Sequence, residues 1–127
     1  MKTGIAILVV SESSLQLSLT IAKHLPGSNL YSSFESIFTD TIPSIATFLK
    51  EHFNRFEAFV FVGSLGICVR SIAPFITDKH TDPAIVNIDS TGKYIVSVLS
   101  GHIGGANSLT KQIARITGGQ AVITTQS

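Results

Sequence analysis

The stretch Phe56-Glu57-Ala58-Phe59-Val60-Phe61-Val62-Gly63-Ser64-Leu65-Gly66 decides the fold class. The run from Phe56 to Val62 is apolar without regular alternation. A strand formed from it must be covered on both faces, as in the centre of a parallel sheet. The run stops abruptly at Gly63. A helix-like segment follows from Ile67 to about Ile76, and Pro74 removes a backbone donor and ends or kinks it.

The same order recurs outward from this point. Upstream, Ile5 to Val10 is a second continuous apolar run, followed by Ser11-Glu12-Ser13-Ser14, which suits a helix cap. Leu15, Leu19 and Ala22 then recur at helical spacing, Leu17, Ile21 and Leu25 widen the stripe, and Pro26-Gly27 stops it. Residues 29–33 read as a short strand, and 34–41 are polar without a clear element. Pro43 suits a first helical turn, with Ile42, Ile45 and Leu49 on one face and Phe48 and Phe53 beside it.

Downstream, 84–88 and 94–99 read as a hairpin around Asp89-Ser90-Thr91-Gly92. A glycine loop leads into a helix marked by Ala106, Leu109, Ile113 and Ile116, which Gly118-Gly119 ends. Residues 121–124 close the chain as a strand. The alternation predicts an α/β fold: a three-layer αβα sandwich, mostly parallel with one hairpin, Rossmann- or flavodoxin-like. The runs at 5–10 and 56–62 should be adjacent central strands.

A chain of 127 residues is one domain, or a fragment of something longer. Hydrophobic residues at 44% against 13% charged exclude a disordered tail and a solvated coiled coil. Nine basic against eight acidic residues argue against a generic nucleic-acid partner but leave room for a small anion site. A single cysteine, Cys68, excludes an internal disulfide framework and a multi-cysteine zinc site. No apolar run reaches the length of a membrane span, and no cleavage site follows the first one, so a cytoplasmic domain without a membrane partner is expected.

Three polar or glycine-rich loops follow strands: Ser11 to Ser14, Gly63 to Gly66, and Ser100 to Asn107. In a parallel sheet such loops share the carboxyl edge, where ligands bind at the point of strand reversal. They also open helices, whose first backbone donors suit carboxylate or phosphate. Ser11, Gly63, Ser64, Gly66, Ser100, Gly101, Gly104, Gly105 and Asn107 are therefore expected to bind substrate. Neither glycine loop has Walker or GxGxxG spacing, and tight strand-to-helix turns explain the glycines equally well.

Arg70, four residues after Gly66, can reach back to that loop and grip a carboxylate, or serve a surface ion pair. His102 is the one histidine of four set inside a glycine loop. It suits a general acid or base; the alternative is a brace for its own loop. Lys79 and Asp82 lie in a turn, where they are either solvated or placed to bind a carboxylate and to orient His102. Ser64 is better read as a helix cap than as a nucleophile, no nucleophile elbow surrounds Ser100, and Cys68 reads as core.

The segments Gly63-Ser64-Leu65-Gly66-Ile67-Cys68-Val69-Arg70-Ser71-Ile72-Ala73-Pro74, Asp78-Lys79-His80-Thr81-Asp82-Pro83-Ala84, Leu99-Ser100-Gly101-His102-Ile103-Gly104-Gly105-Ala106-Asn107 and Val122-Ile123-Thr124-Thr125 resemble the N-terminal region of the CbiG family, cobalt-precorrin-5A hydrolases of anaerobic cobalamin biosynthesis. The resemblance covers about residues 57–125. It implies a cobalt-precorrin tetrapyrrole as partner and an activity that opens its δ-lactone and releases acetaldehyde. Cobalt then arrives with the substrate, and no cofactor or protein metal site is expected. The family's C-terminal domain is missing from these 127 residues. The alternative is a non-catalytic tetrapyrrole-binding domain of a fusion with a precorrin-4 C11-methyltransferase. No S-adenosylmethionine site is expected in this chain, while a homo-oligomer or a fused partner domain stays open.

Overall fold

The computed structural model describes residues 2–125. The strands β1 (Ile5–Val9) and β4 (Ala58–Val62) lie side by side and parallel, with Ile5 opposite Ala58 and Val9 opposite Val62. They are the two central strands that the apolar runs predict. Ala6 and Leu8 of β1 face one layer of helices, and Ile7 and Val9 face the other. With both faces covered, a run without alternation is the stable pattern.

Around this pair run α1 (Leu15–Lys23), β2 (Ser28–Ser32), β3 (Asp40–Thr41), α2 (Ile45–His52), α3 (Leu65–Ile72), β5 (Ala84–Ile88), β6 (Tyr94–Leu99), α4 (Ala106–Thr117) and β7 (Gln120–Val122). The sheet order is β3-β2-β1-β4-β5-β6-β7. The first five strands are parallel. β6 returns antiparallel to β5, and β7 follows β6 in parallel. Ile21, Leu109 and Ile113 cover one face through α1 and α4; Phe48, Leu49, Cys68 and Ile72 cover the other through α2 and α3. The expected three-layer αβα arrangement with one hairpin is present.

Several local expectations shift. The inward face of α1 centres on Ser18, Ile21 and Leu25, because the buried Ser18 hydroxyl satisfies itself on the Ser14 carbonyl at 2.8 Å. Ser11 and Ser14 give no side-chain cap; Ser11 Oγ lies 2.9 Å from Ser13 Oγ and 3.3 Å from Ser14 Oγ. Pro43 precedes the cap of α2 rather than occupying its first turn: Ser44 Oγ accepts from Thr47 N at 3.0 Å. The polar segment 34–41 holds the two-residue β3.

Helix α3 starts two residues earlier than its apolar pattern, because Ser64 caps it. Its Oγ accepts from Ile67 N at 3.4 Å and its carbonyl from Cys68 N at 3.3 Å. Pro74 then falls in a separate 3₁₀ turn, Ala73–Phe75. Ser64→Ala should lower stability by about 1 kcal/mol, read as a lower urea midpoint with an unchanged slope. An unchanged midpoint would show that the cap contributes nothing.

The consequential difference lies in the hairpin. Ile88 sits opposite Ile95 and Ile85 opposite Leu99, so β6 ends beside the start of β5. The loop after β6 therefore lies at the amino edge of the parallel strands, whereas the loops after β1 and β4 lie at the carboxyl edge. The three loops do not share one edge. Four residue steps of β5, about 13 Å at the usual strand rise, separate the two groups.

Candidate functional site

The loop leaving β6 is wound tightly. Ser100 adopts φ 59, a left-handed conformation uncommon for a residue with a side chain. A Cβ on Gly104 would lie 2.5 Å from Ser100 Cβ, and one on Gly101 would lie 2.8 Å from Asn107 Oδ1. Gly104 therefore requires glycine by packing, while a side chain at position 101 would have to displace the Asn107 amide. Gly105, at φ 87, turns the chain into α4. The loop leaves His102 and Ile103 exposed on the rim of a hollow of about 360 Å³, lined by Lys79, Ser100, Gly101, His102, Ile103 and Thr125.

The opposite wall is the turn before β5, and Asp82 shapes it. This carboxylate is 4% exposed and accepts from Thr77 N at 2.9 Å, Thr77 Oγ1 at 3.0 Å and Asp78 N at 3.2 Å. It is committed to its own turn, and none of these bonds goes to His102. The Asp82 backbone carbonyl accepts from Ser100 Oγ at 3.2 Å, which ties the two walls together. Lys79 is exposed, and among the described residues no carboxylate lies within 4 Å of its ammonium.

Asn107 is engaged within the loop as well. Its Oδ1 accepts from Ser97 Oγ at 2.6 Å and its Nδ2 donates to Thr125 Oγ1 at 2.7 Å. It braces the back of the loop through one bond on each amide atom. The first donors of α4 are likewise engaged: Ala106 N donates to Ser100 O at 3.1 Å and Asn107 N to Gly101 O at 3.0 Å. The start of this helix is closed by its own loop, so it is not the open anion cradle that the sequence pattern indicates.

Ser11, Gly63, Ser64, Gly66 and Arg70 gather at the opposite edge. There β1 and β4 are neighbours and their connections diverge, which is the topological switch point. A Cβ on Gly63 would lie 3.0 Å from Val10 Cβ, so the two loops approach closely. Asn87 Nδ2 donates to the Gly63 carbonyl at 3.2 Å and fixes the turn. Arg70 does reach back: its Nη1 lies 4.0 Å from where a Gly66 Cβ would be, and among the described residues no carboxylate is within 4 Å of it. One ligand gripped at Arg70 and at His102 together would have to span the whole sheet.

Cys68 is wholly buried, and desolvation pushes its thiol up to about 12, in keeping with a core role. His52 packs 4.6 Å from the Phe48 ring, and the backbone N of His80 donates to Asp78 Oδ1 at 2.9 Å. Among the described residues no three His, Cys, Asp or Glu side chains gather as a metal site, and no helix is long and apolar enough to cross a membrane. Sequence reasoning missed Ile103 and Thr125 as lining residues. An isoleucine between histidine and glycine was the available signal for Ile103, because loops are otherwise polar.

Fold and hollow together define a doubly wound α/β domain whose candidate site is built from loops beyond the strand ends. The chain belongs to the CbiG family: the family model described as Cobalamin synthesis G N-terminal matches residues 47–127. The cobalt-precorrin-5A hydrolase of Salmonella typhimurium is 47% identical over 76 residues, 60% of this chain and 22% of that protein. The protein of the same name from Priestia megaterium is 48% identical over 84 residues, 66% of this chain and 22% of that protein. The crystal structure of a cobalamin biosynthesis protein G homolog from Sulfolobus solfataricus superposes with a TM-score of 0.77 at 26% identity, covering 95% of this chain and 36% of that one. The match thus spans 22% of the length of these two curated relatives.

Proposed function

We propose that this domain is the N-terminal part of a cobalt-precorrin-5A hydrolase in cobalamin biosynthesis, and that the His102 hollow receives the lactone edge of the tetrapyrrole. The observation that carries this reading is near-half identity to two enzymes of that name. The family match contains every residue lining the hollow. The two curated relatives carry the hydrolase name, so the methyltransferase fusion gains no support from them.

In this reading His102 carries the proton. Water oxygen adds to the lactone carbonyl carbon, and the ring C–O bond breaks. The imidazole takes the proton from water or delivers it to the leaving oxygen. The freed alcohol of the two-carbon bridge then loses its O–H proton as its carbon–carbon bond to the macrocycle breaks; the bridge departs as acetaldehyde, and the electron pair of that bond passes into the macrocycle. Lys79 pairs with an acid arm of the substrate. The backbone N–H of Ile103, which no backbone carbonyl of the described residues claims, would be the donor for the developing oxyanion. Cobalt is cargo of the substrate, and the reaction belongs in the cytoplasm.

A chimera tests the proposal. This chain replaces the matching region of the Salmonella typhimurium enzyme, and acetaldehyde release from cobalt-precorrin-5A is followed. Release close to that of the parent enzyme is expected, with substrate affinity falling as salt rises because acid arms are paired. A folded chimera that binds the tetrapyrrole without releasing acetaldehyde overturns the catalytic assignment and leaves a binding domain. One that does neither overturns the substrate as well.

A further inference from the structure

Ile103 is 63% exposed in a loop whose other members are small or polar. The loop backbone beside it is close-packed, since a Cβ on Gly104 would lie 2.5 Å from Ser100 Cβ. A large apolar side chain held in water beside a cavity gains only when a ligand covers it. Across the hollow stands Lys79, and none of the six lining residues is acidic. A plain carboxylic acid would satisfy Lys79 and leave Ile103 wet. A plain hydrocarbon would cover Ile103 and leave the ammonium without a partner. The lining selects a ligand with both an apolar face and an acid arm.

Size limits what enters. A hollow of about 360 Å³ is at the lower end of small-ligand cavities. It has room for one five-membered ring with its arms. We propose that Ile103 is a specificity-determining residue of this site: it lies against the flat face of one ring at the macrocycle's edge, while Lys79 pairs with an acid arm of that ring. The proposal rests on the tetrapyrrole reading above and adds which part of the substrate is read and by which side chain. The remaining rings stand outside the hollow.

The test compares two probes on the 127-residue chain. Uroporphyrin has a flat ring system with acid arms; tricarballylate has acid arms and no ring. Binding is followed by porphyrin fluorescence and by competition. Ile103→Ser should weaken uroporphyrin about tenfold to a hundredfold, the equivalent of uncovering one aliphatic side chain, and leave tricarballylate unchanged. Lys79→Ala should weaken both probes. An unchanged urea midpoint establishes that each variant is folded. Equal uroporphyrin affinity in wild type and Ile103→Ser overturns the proposal, as does equal loss of both probes or a wild type that binds neither. These outcomes are read without turnover. A chimera that releases no acetaldehyde therefore fails the hydrolase reading separately, and an Ile103→Ser chain that binds uroporphyrin normally fails this proposal alone.

Discussion

His102→Asn in the chimeric hydrolase should release acetaldehyde about 10²–10⁴-fold more slowly while binding substrate as before, the usual loss when a positioned acid or base is removed. Asparagine keeps a hydrogen-bonding side chain of similar reach and removes the titrating imidazole, so the variant separates proton transfer from contact. The structure supports the choice of residue. His102 stands on the rim of the hollow, and its loop is fixed by the Ser100–Gly104 packing and the Asn107 brace. Single-turnover measurement at saturating substrate decides the outcome. Wild-type release would remove His102 from the chemistry. Weakened binding with normal release at saturation would make it a residue that positions the substrate.

Phe59→Ala should cost about 3–5 kcal/mol, the range for deleting a buried aromatic ring. Phe59 is fully buried on β4 and sits at the centre of an aromatic group. Its ring stacks on Phe53 at 5.9 Å and 15°, and meets Phe56 edge-on at 5.3 Å and Phe48 at 6.4 Å. These rings join α2 to the sheet, and no local relaxation fills the space. Native domains have only about 5–15 kcal/mol in hand, so the variant should lose a large share of its stability. A urea midpoint displaced by less than the equivalent of 1 kcal/mol would show that the cluster repacks around the gap.

Part of the site was legible for chemical reasons. Arg70 reaches Gly66 because residues four apart share a helix face, and Ser64 caps because a serine before an apolar helix has a ready partner in the third N–H. Asp82 and Asn107 were legible as polar residues in the right loops. Which way each would spend its hydrogen bonds was not, since that depends on Thr77, Ser97 and Thr125, and Ser97 and Thr125 meet Asn107 only in the fold. Ile103 escaped notice because an apolar residue is ordinarily read as core, and only its exposure marks it as something else.

From the sequence alone followed the two central parallel strands, the layers of helices and the hairpin. Burial on both faces, on one stripe or around a tight turn leaves its own periodicity in the chain. The edge of the sheet at which each loop ends was settled by tertiary structure. Locally, 58–66 and 94–106 share one pattern, strand then glycine loop then helix. Pairing separates them: β4 runs with β5 and β6 runs against it, so identical local patterns end on opposite sides. Strand direction is a property of the partner across the hydrogen bonds, and no stretch of residues contains it by itself. That pairing divides one expected crevice into an Arg70 edge and a His102 edge.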